Sequence, residues 1–136
     1  MSTPNTHEGA FRIASYLRNC TQNRASVFFI GVGGVMMSSL ALLTLRAGHP
    51  TVGSDRARTA VTADLEAAGI RICYGHAAEH LPDDCGLVVY TVAISPDNPE
   101  YVAARERDIP CVSRADYLGA LMTDYVRRVG VAGMHG

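Results

Sequence analysis

The stretch Val27–Ser38, VFFIGVGGVMMS, constrains the fold more than any other part of the chain. Four apolar residues run into Gly31, Gly33 and Gly34, and an apolar segment of helical character follows. The pattern predicts a buried parallel strand, a tight glycine turn and a helix whose first N–H groups face outward. A helix N-terminus carries about half a positive charge and several unpaired donors, so it suits a phosphate. Glycines let the backbone turn sharply and come close to the anion. A dinucleotide fingerprint would read G-x-G-x-x-G, and here the last position is Met36.

From Val27 onward the chain alternates. Strands are expected at Val27–Val32, Pro50–Gly53, Ile70–Tyr74, Leu87–Val92, Cys111–Val112 and Val126–Ala132. Helices are expected at Val35–Ala47, Ala60–Ala68, Asn98–Arg107 and Ala115–Met122, the first two closed by Gly48 and Gly69. The Asn98–Arg107 helix is expected to carry its Glu and Arg residues outward, and residues 1–26 form an extension with a short helix at Ala10–Arg18. Strands alternating with helices of about ten residues mean βαβ units with right-handed crossovers. The predicted fold is α/β: one doubly wound, mostly parallel sheet flanked by helices, with its ligand beyond the carboxyl ends of the strands.

Composition narrows the function. With 136 residues, a net charge of −1 and no Trp, the chain offers no basic or aromatic surface for nucleic acid. The apolar run near Val35–Leu45 is too short to span a bilayer, and the first residues lack the pattern of a secretion signal. A cytoplasmic protein with no membrane partner is expected. Cys20, Cys73, Cys85 and Cys111 show no C-x-x-C spacing and read as reduced thiols.

Several residues are placed to carry chemistry. Asp55 lies 22 to 24 residues beyond the glycine turn, where an acidic residue accepts hydrogen bonds from ribose hydroxyls in dinucleotide folds. It and Ser54 also suit a helix cap. His76-Ala77-Ala78-Glu79-His80 matches H-x-x-E-H, but Gly75 before it and Pro82 after it leave no helix to set both histidines on one face. No metal is therefore expected; His76 reads as a hydrogen bonder at the ligand's edge and His80 as solvated. Thr91 and Ala93 open a turn facing the glycine loop, while Asp97, Asn98 and Pro99 read as turn and N-cap residues. The terminal Val131-Ala132-Gly133-Met134-His135-Gly136 resembles the beginning of a phosphate loop without its Lys.

In order along the chain, FFIGVGGVMMSSLALLTLRAGH, VGSD, GH, AISPDNPEYVAARERDIP, SRADYLGALM and VAGMHG resemble the Mur ligase family, from Val27 to Gly136. The nearest branch joins L-alanine to UDP-N-acetylmuramate in peptidoglycan synthesis. The resemblance implies that residues 27–136 form a Rossmann-like UDP-sugar-binding domain ending at the start of an ATP loop (Gly133, His135, Gly136). Gly31, Gly33, Gly34, Met37 and Ser38 would carry the diphosphate; Ser54, Asp55 and His76 would surround the uridine; Thr91, Ala93 and Arg114 would line the same cleft. It also implies that the full enzyme uses ATP and Mg²⁺ to phosphorylate the muramoyl carboxylate, and that alanine attacks the acyl phosphate. No catalytic residue, cofactor or metal is expected within this stretch, which would bind without ligating.

The family loop reads G-x-G-G-x-G-M-S, so Met36 replaces its third glycine and is expected to narrow the helix–strand contact or crowd the diphosphate. Thr91-Val92, Ser113-Arg114 and Met134 stand where the family has paired serines, paired arginines and a threonine. Three other readings compete: the related ligase that recycles tripeptide onto UDP-N-acetylmuramate, an NAD(P)-binding dehydrogenase domain, and a regulatory nucleotide-binding module.

Overall fold

A computed structural model describes residues 25–129. Strands β1 (Ser26–Ile30), β2 (Thr51–Asp55), β3 (Arg71–Tyr74), β4 (Cys85–Tyr90) and β5 (Cys111–Ser113) form one sheet in the order β3-β2-β1-β4-β5. All four pairings are parallel. Helices α1 (Val35–Arg46), α2 (Ala60–Ala68), α3 (Pro99–Glu106) and α4 (Arg114–Val129) connect or follow the strands, and a single 3₁₀ turn spans Ala78–His80. The doubly wound α/β architecture is the one that the strand–helix alternation predicts.

Side-chain alternation along β1 builds two cores. Val27 and Phe29 join Leu87, Val89 and Val112 on one face, under Met37, Leu40 and Ala41 of α1, Leu65 of α2 and Tyr117 of α4. Phe28 and Ile30 point the other way, with Val52 and Val88, and meet Ala104 of α3 and Leu81. Each fully buried side chain of β1 contributes about 1.5–3 kcal/mol relative to exposure. α1 turns Met37, Leu40, Ala41 and Thr44 inward at i, i+3, i+4 and i+7. The Thr44 hydroxyl meets the Tyr117 hydroxyl at 2.5 Å and so ties α1 to α4.

Strand order reverses between β1 and β4, which makes their carboxyl ends the topological switch point. Val32, just past β1, is fully buried and lies against β2. A Cβ on Gly53 would sit 2.7 Å from the Val32 Cβ, so Gly53 is what lets this valine close the strand end.

Several boundaries differ from expectation, the end of β1 among them, at Ile30 rather than Val32. β4 stops at Tyr90 because its neighbour β5 has only three residues, pairing as far as Tyr90↔Ser113. Thr91 and Val92 therefore leave the sheet, and Val92 is 93% exposed. The second strand runs on to Asp55. The strand expected at Val126–Ala132 is corrected: residues 126–129 belong to α4, since no Gly or Pro lies between Met122 and Val129 to stop that helix. Residues 130–132 and the helix expected at Ala10–Arg18 lie outside the described residues.

Replacing Gly53 with Ala should cost about 1–3 kcal/mol, the range for overpacking a filled core. Urea unfolding of the purified chain measures it; an unchanged midpoint would show that Val32 moves aside freely.

Candidate functional site

The glycine loop is built by three constraints. Gly31 takes a positive φ of 77°, a conformation that a side chain would strain. Its N–H and that of Val32 both donate to the Ser54 carbonyl at 2.9 Å, which pins the loop to the end of β2. The Gly33 N–H donates to Asp55 Oδ2 at 2.7 Å. A Cβ at Gly33 would lie 2.6 Å from that same oxygen, so the contact requires glycine. Gly34 caps α1, and its N–H reaches the Gly31 carbonyl at 3.3 Å.

Which donors stay free follows from these bonds. The Ser38 N–H is spent on the Gly34 carbonyl and its hydroxyl on the Val35 carbonyl. Among the described residues, the N–H groups of Val35, Met36 and Met37 find no partner, as the first turn of a helix requires. The Met37 side chain lies in the core, so only its backbone is available. Met36 is 48% exposed, directed away from the helix–strand contact. That corrects the expectation that it narrows this contact: α1 is rotated so that its neighbour Met37 faces the sheet.

A cleft of about 520 Å³ opens beside this loop at the switch point. Gly31, Asp55, His76, Thr91 and Ala93 line it, as the sequence leads one to expect, together with Ile94, Ser95, Asp97 and Asn98. Arg56 is the one cation among the described lining residues. Ser54 is fully buried beneath the cleft, Arg114 opens α4 beyond β5 away from the lining, and Gly133, His135 and Gly136 lie outside the described residues. Asp55 already accepts two backbone N–H groups, from Gly33 and, at 2.7 Å through Oδ1, from Arg56.

Sequence reasoning missed the centre of the site. Glu100, expected on the outer side of α3, is fully buried. Its Oε1 accepts the Ser54 hydroxyl at 2.7 Å and lies 2.9 Å from His76 Nδ1, while Oε2 lies 2.6 Å from His80 Nδ1. His80 is therefore not solvated but held. The two histidines of the H-x-x-E-H pattern do converge, on Glu100 rather than on a metal, and Glu79 is not part of the cluster. Among the described residues, no group of three or more His, Cys, Asp or Glu side chains is placed to hold a metal ion. Asn98 sets up the geometry: its Oδ1 accepts the N–H groups of Glu100 and Tyr101, and Pro99 occupies the first helical position. The Asn-Pro-Glu run was the available signal.

Burial pushes the Cys73 and Cys111 thiols above their ordinary range, with Arg71 and Arg105 respectively pulling the other way less strongly. A raised thiol holds less thiolate at neutral pH, so both should alkylate with iodoacetamide more slowly than free cysteine at about pH 7.5. Site-resolved mass spectrometry reads the rates, and faster labelling at either site would contradict the burial argument. Replacing Glu100 with Ala strips three donors of their buried acceptor and should cost about 3 kcal/mol or more in urea unfolding.

The sequence model described as Mur ligase family, catalytic domain, matches residues 26–126. The UDP-N-acetylmuramate–L-alanine ligase of Lachnospira eligens is 42% identical over 114 residues, which cover 84% of this chain and 25% of that protein. Among solved structures, the UDP-N-acetylmuramate–alanine ligase of Thermotoga maritima superposes with a TM-score of 0.66 at 37% identity, covering 69% of this chain and 22% of that one. A murein peptide ligase of Psychrobacter arcticus gives a TM-score of 0.64 at 28% identity, covering 69% and 20%. The chain thus spans about a quarter of the length of the curated relative it matches.

Proposed function

The chain belongs to the Mur ligase family, and we propose that it is the UDP-N-acetylmuramate-binding domain of an ATP-dependent ligase that adds L-alanine to that nucleotide sugar. The observation that carries this reading is the set of unpartnered N–H groups at Val35, Met36 and Met37, at the end of the glycine loop whose Gly31 lines the cleft at the switch point. Such a terminus takes a diphosphate without a lysine. Gly31, Gly33 and Gly34 shape the loop rather than donate to the ligand, and Arg56 adds one cation at the rim. Thr91 and Ala93 form the opposite wall. Identity favours the alanine-adding branch: 37% to the Thermotoga maritima ligase against 28% to the murein peptide ligase.

A dehydrogenase reading fits less well. There the acidic residue after the second strand receives ribose hydroxyls, whereas Asp55 is committed to the Gly33 and Arg56 N–H groups. In the proposed role this chain binds and orients the nucleotide sugar. ATP, Mg²⁺ and alanine would be held by further parts of a longer, cytoplasmic ligase. No described helix is long and apolar enough to cross a membrane.

UDP-N-acetylmuramate at millimolar concentration should raise the melting temperature of the 136-residue chain, whereas NADH should not. A flat response to the nucleotide sugar would remove the proposal. The chain alone should release no ADP from ATP in the presence of both substrates. Replacing Met36 with Gly should leave nucleotide affinity unchanged or lower it, because the side chain points outward and Gly weakens the first turn by about 1 kcal/mol. Tighter binding by that variant, measured calorimetrically, would mean that the methionine does crowd the phosphates.

A further inference from the structure

The Glu100 cluster fixes more than packing. Each histidine ring nitrogen is a donor or an acceptor according to where the proton sits, and the hydrogen bond at one nitrogen sets the character of the other. Two oxygens face His76 Nδ1: Glu100 Oε1 at 2.9 Å and the Ser54 hydroxyl at 3.5 Å. The hydroxyl has one hydrogen, and it goes to Glu100 Oε1 at 2.7 Å. The serine therefore shows only lone pairs to the ring. The carboxyl gives the same answer in either charge state. Ionised, both its oxygens accept; protonated, its hydrogen belongs on Oε2, in the shortest contact of the cluster, 2.6 Å from His80 Nδ1. Oε1 remains an acceptor throughout, so His76 carries its proton on Nδ1.

In the neutral ring the opposite nitrogen, Nε2, is then a lone pair. It has no partner among the described residues, and His76 lines the cleft with 26% of its side chain exposed. Asp55 beside it is also an acceptor. A cleft edge built this way takes a ligand group that carries N–H or O–H, and rejects one that presents a lone pair at the same place.

We propose that Glu100 acts as a positioning residue for nucleotide selection: by holding the proton of His76 on Nδ1, it makes Nε2 the acceptor for the N3–H of uracil and so selects uracil over cytosine, whose N3 is a lone pair. The inference rests on the nucleotide-sugar reading above and adds the group that reads the base. Sequence neighbours conceal it, since Glu100 acts from α3 on a histidine that follows β3.

Two measurements on the purified chain test it. Two-bond ¹H–¹⁵N NMR at about pH 7.5 should find His76 protonated on Nδ1, the minority tautomer of a free imidazole in water. Calorimetric titration should find UDP bound about tenfold or more tightly than CDP, the worth of one hydrogen bond and the unpaired acceptor left without it. His76→Ala should bring that ratio to about one, and Glu100→Ala should return His76 to the Nε2–H form. Where Glu100→Ala does not fold, the wild-type tautomer and the His76→Ala ratio decide. A proton on Nε2 in the wild type overturns the proposal, as does a UDP/CDP preference that survives His76→Ala. Equal weakening of UDP and CDP by that variant also overturns it, since the acceptor would then serve a ribose hydroxyl. Failure of both nucleotides to bind at millimolar concentration would instead bring down the nucleotide-sugar reading, and the base selection with it.

Discussion

The Glu100 carboxylate draws together segments that chain topology would leave independent. Ser54 belongs to β2, His76 follows β3, His80 ends the 3₁₀ turn, and Glu100 itself opens α3 after β4. The strands on either side of the switch point are thus joined beneath the cleft by one acceptor. A buried carboxylate without partners would cost several kcal/mol, and an apolar replacement would pack as well. Here three partners satisfy it, and what they gain is orientation: the Ser54 hydroxyl and the His76 ring are each left with one hydrogen-bonding arrangement, and the His80 ring is held in place. The Asn98 cap sets the first turn of α3, so the cluster depends on a helix start as much as on the strands.

Asp55 performs a parallel task for the glycine loop. By taking the Gly33 N–H at 2.7 Å it holds the loop against β2, and the price is a position where no Cβ fits. The loop amides are consumed in building the turn, so the unpartnered N–H groups of this region are those of the first turn of α1. The methionine at the third fingerprint position takes no part in the helix–strand contact. In a loop whose helix packs through that position, glycine is needed for close approach. Here Met37, Leu40, Ala41 and Thr44 make the contact, and position 36 faces outward.

Much of this was legible in the sequence. The glycine turn, its strand and the helix behind it follow from hydrophobic runs and glycine punctuation, because those are local signals with a local cause. The same holds for α2, stopped at Gly69, and for Asn98-Pro99 as a helix start. Strand ends were less legible, since Thr91 and Val92 are good strand residues that lack a partner once β5 ends at Ser113. Glu100 was illegible for a stronger reason. In PEYVAARERD the first of two glutamates reads as one more solvated charge, and only the tertiary approach of Ser54, His76 and His80 makes its burial tolerable. The H-x-x-E-H match was half informative: its histidines do act together, but through a carboxylate twenty or more residues further on.

The charges around the start of α1 are mixed rather than uniformly positive. Three N–H groups of its first turn are unpartnered among the described residues, while Asp55, bound to the Gly33 N–H, and Arg56 beside it set opposite charges against the same loop. Asp97 and the His76 ring line the cleft toward the Asn98 turn. An anion brought to this terminus would meet the helix dipole and the Arg56 guanidinium on one side and the Asp55 carboxylate on the other. Asp55 can stand there because both its oxygens are already committed, Oδ2 to the Gly33 N–H and Oδ1 to the Arg56 N–H, and a carboxylate held by backbone donors is stabilised where it is. The carboxylate that shapes the loop is therefore part of its electrostatics and not a bystander to them.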